Sequence, residues 1–122
     1  ADDFADEDGY TTRERLRLLD EWLDALHRAL GAGEPLAADF GARNTAIFTA
    51  LADTVRRFDL PVAELEALLS AFRQDVSVKR YASWGDVDDY CRRSANPVGR
   101  LVLRLFGHRD DQLDRWSDAI CT

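Results

Sequence analysis

The amino-acid sequence predicts an all-α protein, and three observations predict it. Apolar residues recur three and four apart through most of the chain, as in Leu16, Leu19, Leu23, Leu26 and Leu30, the spacing of one helical face turned to a core. Helix start and stop signals stand where that spacing begins and ends. No segment shows the alternation of period two that a strand would need. A chain of 122 residues suits one domain, or part of one, and can bury a core.

The elements follow in order. Thr11-x-x-Glu14 is a capping box, in which each side chain serves an amide of the other's backbone, and Gly31 is a stop, so a first helix is expected over about 12–30. Residues 31–40, rich in Gly, Ala and Pro, read as a connector. Ile47, Phe48, Leu51, Val55 and Phe58 mark a second helical face. Asp59-Leu60-Pro61 breaks the chain and restarts it, because proline in a first turn lacks only an amide that would be unpaired there. A third helix then runs through Leu65, Leu68, Leu69 and Phe72 and ends near Arg73. QDVSVKRYAS reads as a loop, with Ser83 and Asp86 placed to cap a fourth helix over about 84–106. That helix would turn Val87, Tyr90, Cys91, Ser94, Val98, Leu101, Val102 and Leu105 inward, and Pro97 would kink it by removing one hydrogen bond. A last helix starts near Asp110.

Composition narrows the function. A net charge of −7 repels phosphate backbones, so nucleic acid is not an expected partner. Cys91 and Cys121 are neither in a C-x-x-C pair nor at metal spacing, which reads as two reduced thiols and a cytoplasmic location. No apolar run approaches the roughly 18 residues of a membrane span. His27 and His108 have no partner at ligand spacing, and Trp22, Trp84 and Trp116 fall on helical faces and are expected in the core. Arg92 and Arg93 follow Asp88 and Asp89 at four residues and are expected to form helix-surface pairs. No catalytic triad order, glycine-rich phosphate loop or zinc spacing is present.

Two D-D-x-x-D clusters occur. Asp2, Asp3 and Asp6, followed by Glu7, would stand on one helical turn, where carboxylates four apart can reach a common hard cation. Magnesium suits such a site, since it takes oxygen ligands and completes its shell with water and substrate phosphates. A solvated acidic face is the alternative. Asp110, Asp111 and Asp114 repeat the spacing immediately after Gly107-His108-Arg109, where capping and the helix dipole alone favour acidic residues, so they read as structural.

The stretch Tyr90-Cys91-Arg92-Arg93-Ser94-Ala95-Asn96-Pro97-Val98-Gly99 is similar to the tyrosine-cysteine, alanine, valine-glycine signature of the squalene/phytoene synthases, and the opening ADDFADE resembles that family's first aspartate-rich motif. RLVLRLFG after Pro97 looks most like the bacterial hydroxysqualene synthase subgroup of hopanoid biosynthesis. Asn96 and Pro97 depart from the common pattern and make phytoene synthesis the less favoured product. The resemblance implies part of an isoprenoid-synthase-type helical bundle, which binds farnesyl or presqualene diphosphate through magnesium and forms hydroxysqualene, presqualene diphosphate or a related C30 product. It implies that Asp2, Asp3 and Asp6 hold the magnesium and that Tyr90 stands in the central cavity. Ser94, Ala95 and Gly99 would keep the helix surface thin for a prenyl tail, although small residues serve close helix packing equally well. Asp75, in the loop after the third helix, would line the mouth of the site or lie solvated. The family's second aspartate-rich motif would begin just past Thr122. Residues 1–122 therefore read as a single partial domain, expected to be inactive alone, with membrane-surface association implied for release of an apolar product. A non-catalytic helical interaction module with an acidic face is the alternative, and a terpene cyclase fragment ranks below both.

Overall fold

The structure is a computed structural model that describes residues 9–31 and 40–122. Asp2, Asp3 and Asp6 lie outside the described residues, as does most of the 31–40 connector. The described residues form helices α1 (Thr12–Leu30), α2 (Ala42–Phe58), α3 (Val62–Ser77), α4 (Trp84–Ser94), α5 (Asn96–Leu105) and α6 (Asp111–Cys121), with no strand among them.

The expected caps are formed. Thr11 accepts from the Glu14 amide at 3.2 Å while its own amide donates to the Glu14 carboxylate at 2.7 Å. Ser83 and Asp86 reciprocate in the same way at the head of α4. Asp59 closes α2 in the left-handed region (φ 48°), and Pro61 leads into α3.

Helix α3 is the hub, packing on α1, α4 and α5. It runs antiparallel to α1: Leu19 packs on Val76 near one end, Asp20 pairs with Arg73, and His27 meets Glu66 at 2.7 Å towards the other. Leu16 and Phe72 extend the first contact into a small core. A larger core joins Ala25 and Leu26 of α1 to Phe48 of α2. There the Trp22 indole meets the Phe48 ring edge-on at 5.0 Å and Phe40 closes the group. Such aromatic contacts add about 0.5–1.5 kcal/mol each beyond the area they bury.

Three expectations are corrected. The third helix continues to Ser77 instead of ending near Arg73, because Val76, four residues after Phe72, extends its apolar face by one turn onto Leu19. The helix expected over 84–106 is two helices. The chain turns at Ala95 (φ −110°, ψ −51°), and Pro97 sits in the first turn of α5, where its missing amide costs nothing. Trp84 and Trp116 are exposed, at 87% and 59%, as are Val98, Val102 and Leu105, so the apolar face of α5 and α6 is only partly covered; Trp22 alone of the tryptophans joins a core.

Charge fastens α6 to α5. Arg100 and Arg104 lie four apart on α5, Asp114 and Asp118 four apart on α6, and the antiparallel register matches Arg100 with Asp118 and Arg104 with Asp114. Both guanidiniums bind two carboxylate oxygens, and Arg100 also reaches Glu64 of α3 at 3.2 Å. The second acidic cluster is thus structural. Asp110 caps α6 through the amides of Gln112 and Leu113, and Asp114 belongs to the α5–α6 contact.

Candidate functional site

Asp75 is not a loop residue. It occupies the last turn of α3, half-buried, and its carboxylate accepts a hydrogen bond from the Tyr90 hydroxyl at 3.0 Å. Two residues that the family resemblance singled out, one on each helix, therefore meet across the α3–α4 contact. Ser94 stands one turn after Tyr90 on α4, near the same phenol. On the other side the Tyr81 ring lies 5.5 Å from the Tyr90 ring, tilted by 39°.

Burial pushes the Tyr90 phenol up, and the Asp75 carboxylate raises it further, to about 12; Ser94 pulls weakly the other way. Near neutral pH this phenol is fully protonated. It can donate a hydrogen bond and offer an aromatic face, and it is a poor base.

The remaining candidates divide. Ala95 is the turn between α4 and α5. Gly99 faces α6: a methyl group there would overlap the Ser117 hydroxyl and come within 2.7 Å of the Cys121 sulfur, so its smallness permits the close α5–α6 approach. His27 is occupied by Glu66, and Arg92 pairs with Asp88 at 2.6 Å. Cys91 and Cys121 are free thiols. Among the described residues no group of three histidines, cysteines or carboxylates could hold a metal. No helix among them is long and apolar enough to cross a membrane.

Four residues of the cluster carried no signal strong enough to select them. Ser70, Gln74 and Tyr81 are ordinary in isolation, and Arg93 reads as one more surface partner for an aspartate. The α3 register joins them: Arg93 reaches Ser70 at 3.1 Å and the Gln74 side-chain oxygen, and Gln74 lies 3.4 Å from the Tyr81 hydroxyl. A groove of roughly 350 Å³ between α1 and α3 has a floor of Leu19, Leu23 and Leu69. Its charged rims are already paired as Asp20–Arg73 and His27–Glu66, so it presents no free polar group from these pairs.

This helical wall, with a half-buried phenol–carboxylate pair at one end, is part of an isoprenoid-synthase-type bundle. The crystal structure of squalene synthase HpnC from Alicyclobacillus acidocaldarius matches it with a TM-score of 0.80 and 38% identity, over 98% of this chain and 41% of that one. The chain belongs to the squalene/phytoene synthase family, whose model matches residues 1–122. It is 40% identical to a hydroxysqualene synthase of Zymomonas mobilis over its whole length, and 41% identical to one of Sinorhizobium fredii over 99% of it. A presqualene diphosphate synthase of Rhodopseudomonas palustris is 34% identical over 87% of the chain. The chain spans 37% of the length of the two hydroxysqualene synthases.

Proposed function

We propose that this chain forms one wall of a prenyltransferase-type enzyme that either joins two farnesyl diphosphates head to head, giving presqualene diphosphate and free diphosphate, or takes presqualene diphosphate and water to hydroxysqualene, again releasing diphosphate. The observation that carries the reading is the Tyr90–Asp75 pair at the end of α3 where the chain enters α1. Leu16 packs beside Val76, the neighbour of Asp75. Asp6 precedes the first residue of α1, Thr12, by six positions in the sequence.

Asp2, Asp3 and Asp6 would hold magnesium. Their oxygen donors suit a hard cation that leaves positions open to phosphate oxygens. When bound, the ion neutralises charge growing on a departing diphosphate. Tyr90, kept protonated, presents its ring face to allylic carbocation character and its hydroxyl to Asp75, which fixes the ring's direction. Ser94 and Ala95 keep the end of α4 narrow where a prenyl tail would pass.

The test is Asp6→Asn in the complete enzyme. Turnover should fall by about 100-fold with much less change in KM, since the ion matters most as the diphosphate leaves. Asp111→Asn should stay within about twofold, because Asp111 is an exposed first-turn residue outside any such site. Equal losses from the two changes, or none from Asp6→Asn, would refute the assignment. If magnesium binding by the protein does not tighten when inorganic diphosphate is added, the non-catalytic module is the better reading.

A further inference from the structure

Arg92 and Arg93 stand side by side, each four residues after an aspartate, yet the fold treats them differently. Arg92 is 68% exposed and bonded to Asp88, whereas Arg93 is 27% exposed and lies across α3. One guanidinium nitrogen of Arg93 donates to Ser70 at 3.1 Å; the other donates to Asp89 at 2.8 Å and to the Gln74 side-chain oxygen. A guanidinium only donates, so Gln74 must turn its oxygen towards Arg93 and its NH2 group the other way. That group points at the Tyr81 hydroxyl, 3.4 Å off, and the Tyr81 ring lies against Tyr90. The next residue after Gln74 is Asp75, the acceptor for Tyr90. Contacts thus run from Arg93 towards Tyr90 by two routes, through Gln74 and the Tyr81 ring and through the α3 turn that carries Asp75.

We propose that Arg93 is a positioning residue for Tyr90, acting through Gln74 and Tyr81. The inference rests on the reading of Tyr90 as the phenol of the prenyltransferase site. Lysine cannot replace Arg93, since a single ammonium on a flexible stem lacks the planar fork that spans Ser70, Gln74 and Asp89 together.

The experiment compares Arg93→Ala, Arg93→Lys, Gln74→Leu and Arg92→Ala in the complete enzyme. For the first three, kcat should fall by about tenfold or more at nearly constant KM, because misplacing a reacting group by about 1 Å can cost roughly 100-fold. Arg93→Lys, which retains the Asp89 pair, guards against a loss due only to unfolding. The Arg93→Ala/Gln74→Leu double variant should be little worse than either single one, since both break one chain of contacts. Arg92→Ala should match wild type. A second readout needs no turnover: NMR of ring-labelled tyrosine, assigned with Tyr81→Phe and Tyr90→Phe, should show the contact between the two rings lost in Arg93→Ala and kept in Arg92→Ala. Unchanged ring contacts in Arg93→Ala overturn the inference, whatever the activity. Lost ring contacts in an enzyme with no prenyl-transfer activity support the positioning role and sink the functional reading instead.

Discussion

Replacing Asp114 with alanine tests whether the second acidic cluster is a fastening. The Arg104–Asp114 pair is two-pronged, at 2.8 and 2.5 Å, and both side chains are largely covered, at 14% and 16% exposure. Breaking a fully buried pair costs about 3–5 kcal/mol, and an exposed pair contributes about 0.2–1 kcal/mol. The covering here is incomplete, and the stranded guanidinium keeps the His108 carbonyl at 3.0 Å, so a loss of about 2 kcal/mol is expected. In urea this moves the unfolding midpoint down by about 1 M, with an unchanged slope. Asp111→Ala removes only a first-turn dipole contribution of about 0.3–1 kcal/mol. The joint change Arg104→Met with Asp114→Leu should recover most of the loss, since apolar replacement of both partners also removes their desolvation cost. The pH dependence has a definite sign. Arg104 holds the Asp114 carboxyl below its ordinary range, so the gap between wild type and Asp114→Ala is present above about pH 4 and closes as pH falls through the lowered value. If Asp111→Ala costs as much as Asp114→Ala, the cluster is not the α5–α6 fastening described above.

Two further outcomes follow from the same packing. Gly99→Ala should destabilise by about 1 kcal/mol, because overlap with Ser117 and Cys121, about 1–3 kcal/mol for an overpacked contact, outweighs a helix-propensity gain of about 1 kcal/mol; adding Ser117→Ala should return part of it in thermal melts. The Tyr90 phenol titrates higher in the fold than in the unfolded chain, so its contribution is complete below pH 10 and is lost as pH rises towards 12; Tyr90→Phe should flatten that alkaline loss in denaturant titrations, and an identical slope would show that the phenol is not held as described.

Local chemistry was legible in the chain. The Thr11–Glu14 and Ser83–Asp86 boxes, the Pro61 restart and the apolar faces of α1 and α2 each depend on residues within a turn or two of one another, which is the range over which capping and periodicity act. The structural role of Asp110 was readable for the same reason. Tyr90 was selected by a contiguous motif resemblance. Some tertiary information was also latent in spacing: Arg100 and Arg104 match Asp114 and Asp118 once two antiparallel helices are assumed, and Val76 continues the α3 face.

The meeting of Asp75 with Tyr90 is of another kind. Fifteen residues and an interhelical loop separate them, and only the crossing of α3 with α4 sets which side chains face each other. The same crossing makes Arg93 unlike Arg92, although their local sequence contexts are nearly identical. Gly99 could serve a prenyl tail or a helix contact by composition alone; the register of α5 against α6 placed it at the contact. Periodicity assigns a residue to a face of its own helix, but what covers that face depends on interhelical packing, and for this reason the cluster around Tyr90 became visible only in the folded chain.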